Sequence, residues 1–240
     1  MYVRVYILLT QTSSVLTKVL KFCTRTPYNH VSLAFDERLE YTYSFGRLNP
    51  NDPLIGGFTH ERLDAGVFKD AVCQVFGLTV TESQYAKMRQ RVALMQANQQ
   101  KYKFNFAGLF AAALKVDLKR EHAYFCSQFV SALLQEVGLF PEDLPPHLVK
   151  PTDIATYLDL QLEYEGGLQP YLESAGFRAL YEEKTVVPLR RRLFYLPFRV
   201  LFVPLKVAKM STTTLGVSAR AMHASRKYIA NKVLSDRKSS

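Results

Sequence analysis

Residues 30–35 read HVSLAF, and their alternation decides what the first half of the chain can be. Side chains on an extended strand alternate with a period of two, so Val31, Leu33 and Phe35 face one way and His30, Ser32 and Ala34 the other. Asp36–Arg38 supplies a turn, and the segment LEYTYSF, Leu39–Phe45, runs back as a second strand, which predicts a hairpin. Upstream, Tyr2–Leu9 is rich in β-branched and aromatic residues and reads as a buried strand, and Asp70–Val80 reads as another. Between them, residues 46–66 hold Gly56-Gly57 with several Pro, Asn and Asp residues and read as one long loop, a feature that often carries function.

Helical signals alternate with these strands. Ser13–Cys23 places Val15, Leu16, Val19, Leu20 and Cys23 at helical spacing, with Ser13 or Ser14 as N-cap. Thr81-x-x-Gln84 is a capping box that opens a helix running to about Asn98. Phe104–Val116 reads as a short helix of small apolar residues. Cys126–Val137 reads as a helix closed by Gly138, and Asp153 caps a short helix over Ile154–Leu160. The expectation is an α+β domain over residues 1–185, with an antiparallel sheet packed against the helix that carries Cys126. Residues 186–240 follow as a basic, partly helical appendage.

The segment YFCSQFV, residues 124–130, raises the functional question. Helical phase puts Cys126 on one face with Val130, Leu133 and Val137, which suits a small core residue, since free cysteine is among the most buried types. Its place in the first turn suits a nucleophile. The unpaired N–H groups and the dipole there favour a thiolate, and the same N–H groups can receive an oxyanion. His30 opens its strand beside Ser32 and Ala34, whose small side chains would let a helix approach that face closely. His30 reads either as a hydrogen-bonded structural histidine or as the partner of Cys126. Tyr28, Tyr41, Tyr43, Phe45, Tyr124 and Phe125 surround these segments in sequence, as core or as the wall of an apolar pocket.

NHVSLAFD at 29–36, YSFG at 43–46 and YFCSQFV at 124–130 together resemble the circularly permuted branch of the NlpC-type papain-like hydrolases. These are the YiiX/YaeF-type amidases, related to the lecithin:retinol acyltransferase family. In ordinary papain-like enzymes the cysteine precedes the histidine; in the permuted branch the histidine strand comes first, as it does here. The resemblance covers roughly residues 1–160. It implies a permuted papain-like fold, with Cys126 as nucleophile and His30 as the base that takes its proton. It also implies a third member, on the strand after the histidine, that orients the imidazole. Counting along the hairpin gives Ser44, on the strand face of Glu40 and Thr42. Serine departs from the carboxylate, amide or histidine usual there and brings no charge, so Glu40 or the loop residue Glu61 are the substitutes. The implied activity is hydrolysis of an amide, peptide, isopeptide or lipid acyl bond through a thioester, without cofactor. The alternative is a catalytically weak binding module.

The net charge of +10 is unevenly spread. Residues 186–240 carry twelve Lys/Arg and one acid, Asp236, while the first 185 residues are close to neutral. Such asymmetry calls for an anionic partner. The interleaved Phe194, Tyr195, Phe198, Leu201 and Phe202 favour an anionic membrane surface over nucleic acid, because phosphate tracking does not require bulky apolar residues at that density. The opening MYVRVYILLT does not read as a signal peptide, and no apolar run reaches membrane-spanning length. Cys23, Cys73 and Cys126 make no CxxC pair and no metal-ligand pattern. They imply free thiols in a reducing, cytoplasmic setting, with the tail at the inner membrane face.

Overall fold

The computed structural model describes residues 1–12, 27–48, 56–105, 122–158 and 160–180. The expected helices over Ser13–Cys23 and Phe104–Val116, apart from the latter's first two residues, lie outside them. So do Cys23 and the 186–240 appendage.

Strands β1 (Tyr2–Gln11), β2 (His30–Ala34), β3 (Thr42–Arg47), β4 (Gly56–His60) and β5 (Val72–Thr81) lead to helix α1 (Glu82–Ala97). Short strands β6 (Lys103–Phe104) and β7 (Ala123–Tyr124) precede α2 (Cys126–Glu136). The helix α3 (Pro151–Leu158), the strand β8 (Gln161–Gly167) and the helix α4 (Leu168–Ala175) complete the order. Among the described residues one sheet forms, in the order β7-β6-β4-β3-β2-β1-β5-β8. Its pairings are antiparallel except for β6 with β7. The described part is therefore a mixed α+β domain.

The long pairing of β1 with β5, from Tyr2↔Thr81 to Gln11↔Val72, makes the centre of the sheet. Both sheet faces are apolar, which explains why β1 is an almost continuous buried run rather than an alternating one. On one face Val31, Leu33, Phe35, Phe45 and Phe58 meet Phe129, Val130 and Leu133 of α2 and Met88, Val92 and Met95 of α1. On the other, Tyr6, Leu8 and Ala34 meet Leu63, Phe68 and Leu168. The body of α2 thus lies on the Val31/Leu33 face, not on the His30/Ser32/Ala34 face that small side chains suggested. The larger apolar area of valine, leucine and phenylalanine decides the docking side.

The capping box forms as expected. Thr81 Oγ1 accepts from Gln84 N at 3.2 Å, and Gln84 Oε1 accepts from Thr81 N at 2.9 Å. The Gln84 side-chain amide also donates to Val137 O at 3.0 Å, tying α1 to the end of α2. Gly138 closes α2 with φ of 71°, a left-handed conformation in which glycine carries no Cβ penalty.

The hairpin is wider than the sequence suggests. Asp36 Oδ1 and Oδ2 accept from the N–H groups of Glu40 (3.0 Å) and Tyr41 (2.8 Å), and Leu39 takes φ of 59°. These bonds hold 39–41 in the turn, so β3 starts at Thr42 rather than Leu39. Residues 56–60, expected as loop, form β4 and pair with β3 from Tyr43↔His60 to Arg47↔Gly56. Strand β8 and helix α4 were not anticipated at all. Ile154 is buried in the short helix α3, where Asp153 Oδ2 accepts from Lys150 N at 3.0 Å.

Candidate functional site

The site begins where the β2–β3 ladder ends. The ladder holds only Leu33↔Tyr43 and Ala34↔Thr42. Continued on that register, Ser32, Val31 and His30 would face Ser44, Phe45 and Gly46, but no ladder pair forms there. On its other side β2 stays fully paired to β1, with His30 opposite Thr10. Just before His30, the Asn29 carboxamide imitates a strand. Its Nδ2 donates to Thr12 O at 3.2 Å and its Oδ1 accepts from Thr12 N at 3.2 Å. His30 is thus held from the β1 side and open on the β3 side.

Glu61 fills that open side. It follows β4, and its backbone N–H donates to Thr42 O at 2.9 Å, which continues the ladder one residue and aims the side chain along the His30 face. Its Oε1 lies 2.7 Å from His30 Nε2, and its Oε2 accepts from the Ser32 hydroxyl. The carboxylate passes over Gly46. A Cβ there would lie 3.3 Å from Glu61 Oε1 and 4.0 Å from His30 Cε1, so the pair needs the space that glycine leaves. The Phe68 ring stands 5.8 Å from the imidazole centroid, at 53°, and adds apolar cover. The Glu61 side chain is 2% exposed and that of His30 13%.

The third group is Cys126, the first residue of α2. Phe125, the N-cap, is extended and offers no side-chain cap, so no side chain competes for the first-turn N–H groups. The Cys126 side chain lies close enough to the His30 ring to act on its ionisation. With Nε2 taken by Glu61, Nδ1 is the nitrogen left for sulfur. Burial acts to lower the basicity of His30. The negative charge on Glu61, then that of a Cys126 thiolate, and the contacts with both outweigh burial and push the imidazole up to about 10. An imidazolium held against the Glu61 carboxylate is therefore favoured at neutral pH.

Cys126, His30 and Glu61 come together; Ser44 and Glu40 do not join them. Ser44 is fully buried, and its hydroxyl donates to Val31 O at 2.7 Å, bracing the main chain where the ladder has stopped. The assignment of Ser44 as the third member is corrected here: the group on the ring is Glu61, one of the two substitutes named for it. Glu40 is engaged elsewhere, its Oε1 accepting from Arg178 N at 3.1 Å and its carbonyl from His60 Nε2 at 2.6 Å. The sequence carries a further signal for Glu61, which the loop composition masks. In GFTHE, residues 57–61, Phe58 turns to the core and Thr59 and Glu61 to the His30 face, a period of two inside what reads as loop. Of the aromatics, Tyr28, Tyr43, Phe45 and Phe125 are buried, Tyr124 is partly buried, and Tyr41 is exposed beneath Arg89.

Such a set can transfer a thiol proton to Nδ1, hold the resulting imidazolium against Glu61, and present the Cys126 N–H to an oxyanion. Among the described residues no group of three His, Cys, Asp or Glu could hold a metal ion, and no helix is long and apolar enough to cross a membrane. No protein-family model, no curated protein and no solved structure matches the chain.

Proposed function

We propose that this chain is a cysteine hydrolase with a permuted papain-like fold, cleaving an amide or a related acyl bond. The observation that supports it is one imidazole held by a buried carboxylate at 2.7 Å and influenced by the cysteine that starts a helix. In the reaction, the Cys126 thiolate attacks the acyl carbon, and the carbonyl electrons collect on oxygen beside the Cys126 N–H. Collapse breaks the bond to the leaving amine, which takes the proton from His30, and leaves a thioester. His30 then removes a proton from water, which attacks the thioester; the second collapse releases the carboxylic acid and the Cys126 thiolate, with the proton on His30 as at the start. Glu61 stabilises the imidazolium in both halves and carries no proton itself.

The chain works in a reducing compartment, the cytoplasm, and meets anionic membrane surface through residues 186–240, whose twelve Lys/Arg alternate with bulky apolar side chains. The deciding experiment compares wild type and Cys126→Ala on a panel of fluorogenic amides, esters and thioesters, with acid and amine products quantified. Turnover that vanishes with Cys126→Ala is expected. Turnover that persists in the variant, or an inert wild type whose Cys126 reacts with iodoacetamide no faster than Cys73, defeats the reading. For the tail, deletion of 186–240 should abolish co-sedimentation with phosphatidylserine vesicles, and unchanged binding overturns that assignment.

A further inference from the structure

The carboxylate of Glu61 has two oxygens and two different partners. Oε1 meets His30 Nε2 at 2.7 Å, and Oε2 accepts from the Ser32 hydroxyl. One bond to an imidazole does not fix a glutamate, because the terminal torsion of this side chain is broad and the two oxygens exchange by a half-turn. The second bond removes that freedom. Ser32 is fully buried and sits two residues after His30 on β2, so both side chains leave the strand on the same face. One rigid strand therefore carries both the ring to be oriented and the hydroxyl that orients its partner. From below, Gly46 leaves the carboxylate just enough room to lie across β3. The hydroxyl has no other reason to be there: alanine would pack the same space without a polar atom to satisfy.

We infer that Ser32 is a positioning residue for the proposed reaction, holding the second oxygen of Glu61 so that the first stays on His30. This rests on His30 acting as the base. The titratable groups that act on His30 are Glu61, from the end of β4, and Cys126, from α2. Loosening the first weakens the field that favours the imidazolium. Ser32→Ala then lowers the ionisation midpoint of His30 and slows turnover without weakening substrate binding.

The test separates this effect from a packing defect. Full-length protein with labelled histidine is titrated by NMR, following the His30 ring nitrogens in wild type, Ser32→Ala, Ser32→Thr, Glu61→Gln and the double variant. Ser32→Ala should lower the His30 midpoint by about one pH unit. Ser32→Thr, which keeps the hydroxyl, should return most of it, and Ser32→Ala should add nothing once Glu61 is Gln, because the two residues act as one unit. With a turned-over substrate, kcat should fall by about tenfold and KM should hold. An unmoved midpoint in folded Ser32→Ala, equal behaviour of the Ala and Thr variants, or an undiminished shift in the Glu61→Gln background each overturn the inference. Should Ser32→Ala not fold, Ser32→Cys replaces it, with a weak donor of similar size, and its midpoint must also fall. The titration needs no substrate, so a failure here is distinct from failure of the hydrolase reading, which Cys126→Ala decides.

Discussion

Cys126 and Cys73 are both free and both buried, yet the sheet treats them in opposite ways. Cys73 sits near the start of β5, opposite Thr10, among Tyr6, Leu8, Leu63 and Leu168. Nothing there compensates a charge, and burial pushes its thiol up to about 12. Cys126 also packs among apolar side chains, but at a helix start and beside an imidazole held by Glu61. Burial alone therefore does not tell the two thiols apart; the group beside the side chain does.

The sharpest way to break the comparison is to let both thiols compete for one reagent. At pH 7, with the protein folded, iodoacetamide should modify Cys126 at least ~1,000 times faster than Cys73, because so little of a thiol titrating near 12 is ionised there. Peptide mapping over a time course gives the ratio, and a ratio near one removes the distinction. Next in size is Glu61→Gln. The amide keeps the shape and removes the charge, so the His30 midpoint should fall by two units or more and turnover by about a hundredfold. If Glu61→Gln leaves both unchanged, the carboxylate is a bystander.

These residues also show where the sequence was legible. The alternation of HVSLAF and the Thr81/Gln84 capping box were readable because each depends on near neighbours in the chain. The side of the sheet that α2 covers was not, because it is settled by total apolar area from distant segments, and small residues around His30 suggested the wrong face. Ser44 came from counting along a hairpin whose turn was taken as too short. Asp36 holds two more N–H groups in the turn than the count allowed. Glu61 was hidden by its surroundings: Gly56-Gly57 reads as loop, while next to β3 it is a strand whose small residues leave room at the site. Strand β8 has no apolar alternation, being an edge with Gln161, Leu162 and Glu163 exposed, so only its pairing with β5 defines it.

The comparison extends to pH. His30 titrates higher in the folded chain, about 10 against an ordinary 6.5. A raised basic group stabilises the fold fully below about pH 6.5, and that contribution is lost progressively as pH rises through 10. Thermal unfolding from pH 6 to 10.5 should show a falling midpoint in wild type and a flatter profile in His30→Gln. Turnover should fall on the same alkaline limb, because His30 must be protonated to discharge the leaving amine. A wild-type limb centred near 7 would mean that the carboxylate and the thiolate do not hold the imidazolium.

The smallest expected effect concerns Ser44, and it separates two roles that the hairpin count had merged. Its hydroxyl bonds the Val31 carbonyl, one residue before Ser32 and one after His30, and does not touch the ring. Ser44→Ala therefore leaves a buried carbonyl unpaired, at a cost of about 1–2 kcal/mol. For a domain of this size that lowers the melting temperature by a few degrees, roughly 2–8 °C. Turnover at a temperature where the variant is folded should stay within about threefold of wild type, since Cys126, His30 and Glu61 keep their places. A loss as large as that of Glu61→Gln, with the His30 midpoint moved as far, would return Ser44 to the site as its third member. A loss of stability alone identifies it as the brace that lets β2 leave the ladder while His30 stays in place.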